Sequence, residues 1–231
     1  MTHNFDDIHA RLAAVQDSIQ QLAVAHHRAA DAVALLAVSK TQPAAALRAA
    51  ATAGQRLFGE NYLQEALTKM AELADLELEW HFIGPLQSNK TRPIAEHFAW
   101  VHSVDRLKLA ERLSAQRPES LPALNICLQV NISDEDTKSG CSLDELPALA
   151  QAVAALPHLR LRGLMAIPVP AVGLEQQRLP FRRLYTAQQQ LITAGLPLDT
   201  LSIGMSDDME AAIAEGASIV RVGTAIFGAR K

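Results

Sequence analysis

The sequence predicts one fold class above others: a single-domain (β/α)8 barrel with an extra N-terminal helix, the whole chain 1–231 forming one domain. Three observations predict it. After an opening helix a strand-then-helix pattern repeats seven times and ends on an eighth strand. The first strand segment ends in a short apolar run, Leu35–Val38, without polar alternation, as expected for a parallel strand covered on both faces. No glycine-rich dinucleotide fingerprint follows the first strand, which counts against the alternative of an open, doubly wound sheet. With 231 residues, 49% of them hydrophobic, the chain can bury a core of this size.

Phe5, Ile8, Leu12, Val15, Ile19 and Leu22 recur at steps of three and four, which places one apolar stripe on a helix within residues 1–28. The chain stops soon after the eighth strand, so this helix is expected to pack where a last barrel helix would lie. A dimer seam would use the same spacing; a monomer is expected, with a dimer left open.

The first unit is a strand over 32–40 and an alanine-rich helix over 43–53, with Gly54 as its C-terminal cap. A strand over 56–61 leads into a helix over 62–74. The third pair is 79–85 and 88–97, with Pro93 near the helix start or at a kink. Residues 100–104 precede a helix over 105–116, for which Asp105 is the expected N-cap. The strand over 124–132 is followed by the polar loop 133–140 and a helix over 143–155. The sixth pair is 160–167 and 174–194, the helix closed by Gly195. The seventh strand, 200–205, meets Ser206 as N-cap of a helix reaching Glu215, and the eighth strand is 218–222.

Composition excludes several function classes. Twenty-one Lys and Arg against 25 Asp and Glu give a net charge of −4, so no basic field exists for nucleic acid. No secretory leader or bilayer-length apolar run is visible, so a cytoplasmic location without a membrane partner is expected. Cys127 and Cys141 have no metal-ligand spacing and read as free thiols; no metal is expected.

Chemistry in a barrel gathers where the strands end. Lys40 terminates the run Leu35–Ser39 there, although a lone lysine after a strand is ordinarily a solvated ammonium. Its context comes from the far end of the chain. Loops after the seventh and eighth strands commonly bind phosphate: Ser206 offers a hydroxyl, Gly223 lets backbone approach, and Thr224 adds a donor. Arg221, in an otherwise apolar strand, requires a partner and would face a phosphate or a heteroaromatic nitrogen if it points inward. Asp207 and Asp208 oppose an anion unless turned away. An amine and a phosphate cradle together suit pyridoxal 5′-phosphate held as a Schiff base. A lysine aldolase for a phosphorylated sugar fits the same residues.

The motifs Leu36-Ala37-Val38-Ser39-Lys40-Thr41, Phe58-Gly59-Glu60-Asn61-Tyr62, His81 through Lys90, Arg162 through Pro168, and Ser202 through Gly228 run nearly end to end. Together they resemble the pyridoxal phosphate homeostasis proteins, single-domain relatives of the alanine racemase N-terminal barrel. The resemblance implies that Lys40 forms the internal aldimine and that Ser206, Gly223 and Thr224 hold the phosphate. It also implies that Arg221 lies close to the cofactor; Asn61, His81 and Met165 are further pocket candidates. An arginine at the pyridine nitrogen would disfavour its protonation and weaken the ring as an electron sink.

Racemisation needs an acid or base on each face of the cofactor. The racemases resemble this chain only over the barrel and take the opposing tyrosine from a second domain, whereas here only Tyr62 lies near the rim. The sequence therefore predicts a protein that buffers or delivers pyridoxal phosphate, possible recipients being apo forms of enzymes that use it, rather than an enzyme. A racemase of narrow scope is the alternative. Lys138 in the polar loop is a candidate amine for exchange.

Overall fold

The computed structural model describes residues 6–133 and 139–228, so Phe5 and Lys138 fall outside the described residues. Eight parallel strands close on themselves in chain order, with β1 pairing both β2 and β8. The chain is a (β/α)8, or TIM, barrel.

The strands are β1 (Ala34–Val38), β2 (Leu57–Glu60), β3 (Glu79–Phe82), β4 (Trp100–Val104), β5 (Leu124–Gln129), β6 (Leu159–Met165), β7 (Thr200–Ser202) and β8 (Ile219–Val222). The helices are α1 (Asp6–Ala25), α2 (Ala44–Thr52), α3 (Leu63–Glu72), α4 (Thr91–His97), α5 (Leu107–Gln116), α6 (Leu146–Ala154), α7 (Leu174–Thr193), α8 (Met209–Ala214) and α9 (Thr224–Phe227).

The opening stripe does what its spacing requires: Ile8, Leu12, Val15 and Ile19 are buried, and α1 packs on α2, α8 and α9. It thereby covers the seam where β8 meets β1. The barrel and its helices share a continuous apolar core, in which Phe58, Phe82, Phe98 and Phe181 are fully buried.

Several expected strands end one to three residues early, because the backbone peels away from the ladder to form the rim. β5 stops at Gln129, and Val130 then makes an isolated bridge to Cys141. Gly54 and Gly195 follow their helices with φ of 98° and 95°, as caps should. Asp105 is not an N-cap: Arg106 takes that position before α5, and the Asp105 carboxylate pairs with the Arg106 guanidinium. α6 starts at Leu146, later than expected, after a turn in which Ser142 and Glu145 form a reciprocal capping box, the Ser142 hydroxyl and the Glu145 carboxylate each meeting the other's backbone N–H. Gly163 answers a packing need. A Cβ there would sit 1.7 Å from the Thr200 carbonyl oxygen, so only glycine lets β6 approach β7.

Candidate functional site

A cleft of about 570 Å³ opens where the strands end. Six of the eight residues expected at the site line it: Lys40, Asn61, Ser206, Arg221, Gly223 and Thr224. Val38, Ile83, Ile167 and Met205 give it an apolar side. Such a mixture, in a cavity of this size, suits a small planar ligand with a charged end.

Lys40 lies in the junction between β1 and α2, next to Thr41, whose φ of 65° is unusual for a β-branched residue. Holding that conformation costs about 1–2 kcal/mol, and a buried ion cluster offsets the cost. The Glu65 carboxylate accepts the Thr41 N–H at 2.6 Å. Lys69 Nζ binds that same carboxylate, the Glu60 carboxylate at 2.8 Å and the Ser39 carbonyl at 2.7 Å, while the Ser39 hydroxyl donates to Glu60 at 2.6 Å. Glu60 and Lys69 are almost fully buried. Burial raises the Glu60 pKa, against the lowering effects of Lys69 and Ser39.

Sequence reasoning missed this cluster. The i,i+4 spacing of Glu65 and Lys69 was visible, but on a helix it reads as a solvated surface pair. Only the tertiary fold turns Lys69 inward beneath the junction that carries Lys40.

Arg221 points inward, as expected, and is 5% exposed. Its guanidinium donates to the carbonyl and, at 3.0 Å, the hydroxyl of Ser202, and at 3.0 Å to the Ala166 carbonyl. Burial pushes its pKa down to about 10, so the group stays charged at neutral pH. These bonds occupy three of the five N–H donors of an arginine and fix the plane of the group at the cleft floor.

Gly223 lets the end of β8 lie against β1, since a Cβ there would stand 3.0 Å from the Val38 carbonyl oxygen. Thr224 begins α9, a short helix the sequence reading did not anticipate, and the first N–H groups of a helix have no intrahelical acceptor. Ser206 lies in a turn and does not cap α8. Asp208 stands at that N-cap, and its carboxylate accepts the Met205 N–H at 2.6 Å, closing a turn ahead of the helix. That bond turns Asp208 to the backbone, while Asp207 stays at the cleft edge.

His81 and Met165 do not line the cleft, contrary to expectation. Both are 1% exposed and lie inside the barrel. The His81 ring stacks on Trp100 and bonds to His102, and Met165 packs with Trp100 and Cys127. Their strands reach the rim, but these side chains sit in a lower layer. Tyr62 is exposed and Tyr185 lies on α7; neither lines the cleft.

Two features test whether the cleft suits a phosphorylated pyridine aldehyde. Asn61 Oδ1 is buried without a hydrogen-bond partner, a polar atom that a ligand would satisfy. Gly223 lines the cleft with backbone and no side chain. With the Lys40 amine and the Arg221 cation, both fit.

Residues 11–231 match the family described as alanine racemase, N-terminal domain. The pyridoxal phosphate homeostasis protein of Pseudomonas aeruginosa is 65% identical over 219 residues, covering 95% of this chain and 94% of that one. The chain belongs to the pyridoxal phosphate homeostasis protein family. Its Escherichia coli K12 member is 56% identical, with 97% of each chain covered. PipY of Synechococcus elongatus, solved with pyridoxal phosphate bound, superposes with a TM-score of 0.85 at 43% identity, over 96% of this chain and all of that one. An alanine racemase from Corynebacterium glutamicum, 19% identical with a TM-score of 0.71, shares the fold over 62% of its own length. Among the described residues no helix is long and apolar enough to cross a membrane, and no cluster of His, Cys, Asp and Glu could hold a metal.

Proposed function

We propose that this protein binds pyridoxal 5′-phosphate in the cleft as a Schiff base on Lys40, and that it stores and hands on the cofactor within the cytoplasm. The observation that carries this reading is the convergence of Lys40, Arg221, Gly223 and Thr224, far apart in sequence, on one cavity. The homeostasis family and the occupied PipY structure support it.

Lys40 supplies the amine that condenses with the aldehyde, one water leaving as the imine forms. Ser206, Thr224 and the backbone at Gly223 hold the phosphate. Arg221 presents a fixed cation to the ring, and Asn61 Oδ1 gains the partner it lacks. The bound group supplies an aldehyde that exchanges reversibly between amines, which is the chemistry delivery requires. Apo enzymes that use this cofactor are the proposed recipients, with the protein acting as a monomer.

Racemase turnover would need a second acid–base group opposite Lys40. Among the described residues the cleft lining contains no histidine or tyrosine, and its one carboxylate is Asp207 at the cleft edge, which favours a carrier.

Visible absorption of the purified protein, with and without borohydride, tests the reading beside Lys40→Ala. A protein-linked chromophore that borohydride fixes to the wild type, and not to the variant, is expected. A surviving imine band in Lys40→Ala refutes the assignment. Exchange of an amino-acid α-proton at a useful rate would make the protein an enzyme.

A further inference from the structure

A line of hydrogen bonds crosses the barrel interior from its opposite mouth to the cleft floor. Glu79 Oε1 lies 2.9 Å from His81 Nε2, His81 Nδ1 lies 2.9 Å from His102 Nε2, and His102 Nδ1 lies 2.7 Å from the Ser202 hydroxyl. The Ser202 hydroxyl lies 3.0 Å from Arg221 Nη1. Both imidazoles and Ser202 are buried, whereas the Glu79 side chain is 44% exposed.

The ends of this chain fix the direction of every bond. A guanidinium only donates, and an ionised carboxylate only accepts. The bond to His81 is the main cause that holds the Glu79 pKa below its ordinary value, so this end is ionised at neutral pH. Arg221 supplies the proton of the first bond. Three bonds remain, and three protons are available: one on the Ser202 hydroxyl and one on each neutral imidazole. All three bonds form only if the hydroxyl donates to His102 Nδ1, His102 Nε2–H donates to His81 Nδ1, and His81 Nε2–H donates to Glu79. A further proton on either ring would turn the Ser202 hydroxyl away from His102 and place a second buried cation in line with Arg221. Burial opposes that proton as well, lowering the pKa of both histidines.

We propose that Glu79, His81, His102 and Ser202 are positioning residues for Arg221, a one-way hydrogen-bond chain that fixes the guanidinium facing the cleft. The consequence for bound pyridoxal phosphate rests on the function proposed above; the chain itself does not. Stacking of His81 on Trp100, with 5° between the planes, and the Arg162 guanidinium 4.7 Å from the Trp100 centroid hold the middle of the chain in register. A mispositioned ring would break two links at once.

Nitrogen-15 NMR of the cofactor-free protein at neutral pH tests the chain directly. Both histidines are expected neutral with the proton on Nε2, and the Arg221 side-chain protons are expected as separate, slowly exchanging signals. Ser202→Ala should release His102 into a tautomer mixture and accelerate Arg221 proton exchange roughly tenfold, the loss of one charge-assisted bond. Glu79→Ala should disturb the His81 tautomer, while Glu79→Gln, which keeps an acceptor, should restore it. An Nδ1–H or doubly protonated ring in the wild type, or Arg221 signals indifferent to Ser202→Ala, would overturn the proposal.

Dissociation of pyridoxal phosphate, followed by absorbance, gives the second readout. It should be about tenfold faster in Ser202→Ala, and an unchanged rate overturns the link to the ligand. A wild type that takes up no pyridoxal phosphate refutes the proposed function alone, since the cofactor-free spectra still decide the chain.

Discussion

Replacing Lys69 with Met removes the cation from beneath the Lys40 junction and leaves Glu60 facing apolar surroundings. In the native protein Lys69 Nζ spends its three donors on Glu60, Glu65 and the Ser39 carbonyl, and both Lys69 and Glu60 are buried. Breaking a buried pair from one side costs about 3–5 kcal/mol, because the remaining charge keeps its desolvation penalty and loses its partner. Glu65 is 29% exposed and can turn to water, so the loss concentrates on Glu60. That is a large share of the roughly 5–15 kcal/mol that holds a typical domain folded.

The penalty carries a pH signature. Burial already raises the folded-state pKa of Glu60, and Lys69 is the leading opposing influence. Removing Lys69 therefore raises it further. A carboxyl with a raised folded pKa contributes stability that is fully present below its unfolded pKa and is lost as pH rises through the folded value. Lys69→Met should thus lose its full 3–5 kcal/mol at about pH 8. At a lower pH, once Glu60 takes up a proton, the loss should fall toward the roughly 1–2 kcal/mol of the missing hydrogen bonds. Urea unfolding at both pH values measures the difference, and the double variant Glu60→Gln, Lys69→Met should recover most of the loss at pH 8. Equal losses at both pH values, or no recovery in the double variant, would refute the reasoning.

Three further outcomes follow from local geometry. Gly163→Ala should destabilise by about 3 kcal/mol or more in urea unfolding, since its Cβ would strike the Thr200 backbone, which no rotamer change relieves. Thr41→Gly relieves the positive φ and should leave unfolding stability within about 1 kcal/mol of wild type; a larger loss would show that the threonine conformation carries no strain. Burial pushes the thiols of Cys127 and Cys141 up to about 12, so neither should react with a thiol reagent near pH 8 until the protein is unfolded; rapid labelling of the native protein would contradict that burial.

The sequence by itself determined the order of elements and the chemistry of the rim. Uninterrupted apolar strands alternating with helices leave a closed parallel barrel as the economical way to bury both faces of each strand, and closure brings strand ends together whatever their separation in sequence. For that reason Lys40 could be paired with Arg221, Gly223 and Thr224 before any coordinates. The N-terminal stripe likewise marked an amphipathic helix through spacing alone, while its packing on α2, α8 and α9 came from the fold.

Tertiary structure decided what spacing does not encode, namely the depth of each side chain along a strand and the facing of each polar group. His81 and Met165 belong to the right strands but to a lower layer, so they meet Trp100 instead of the cleft. Ser206 lost its capping role to Asp208 because a carboxylate two residues on could close a turn back to Met205. Lys69, an ordinary helix-surface residue by sequence, became a buried anchor because α3 lies against the end of β2, where Glu60 waits. Burial converts such residues from solvated charges into strongly coupled partners, and burial is a property of the closed barrel, not of any local segment.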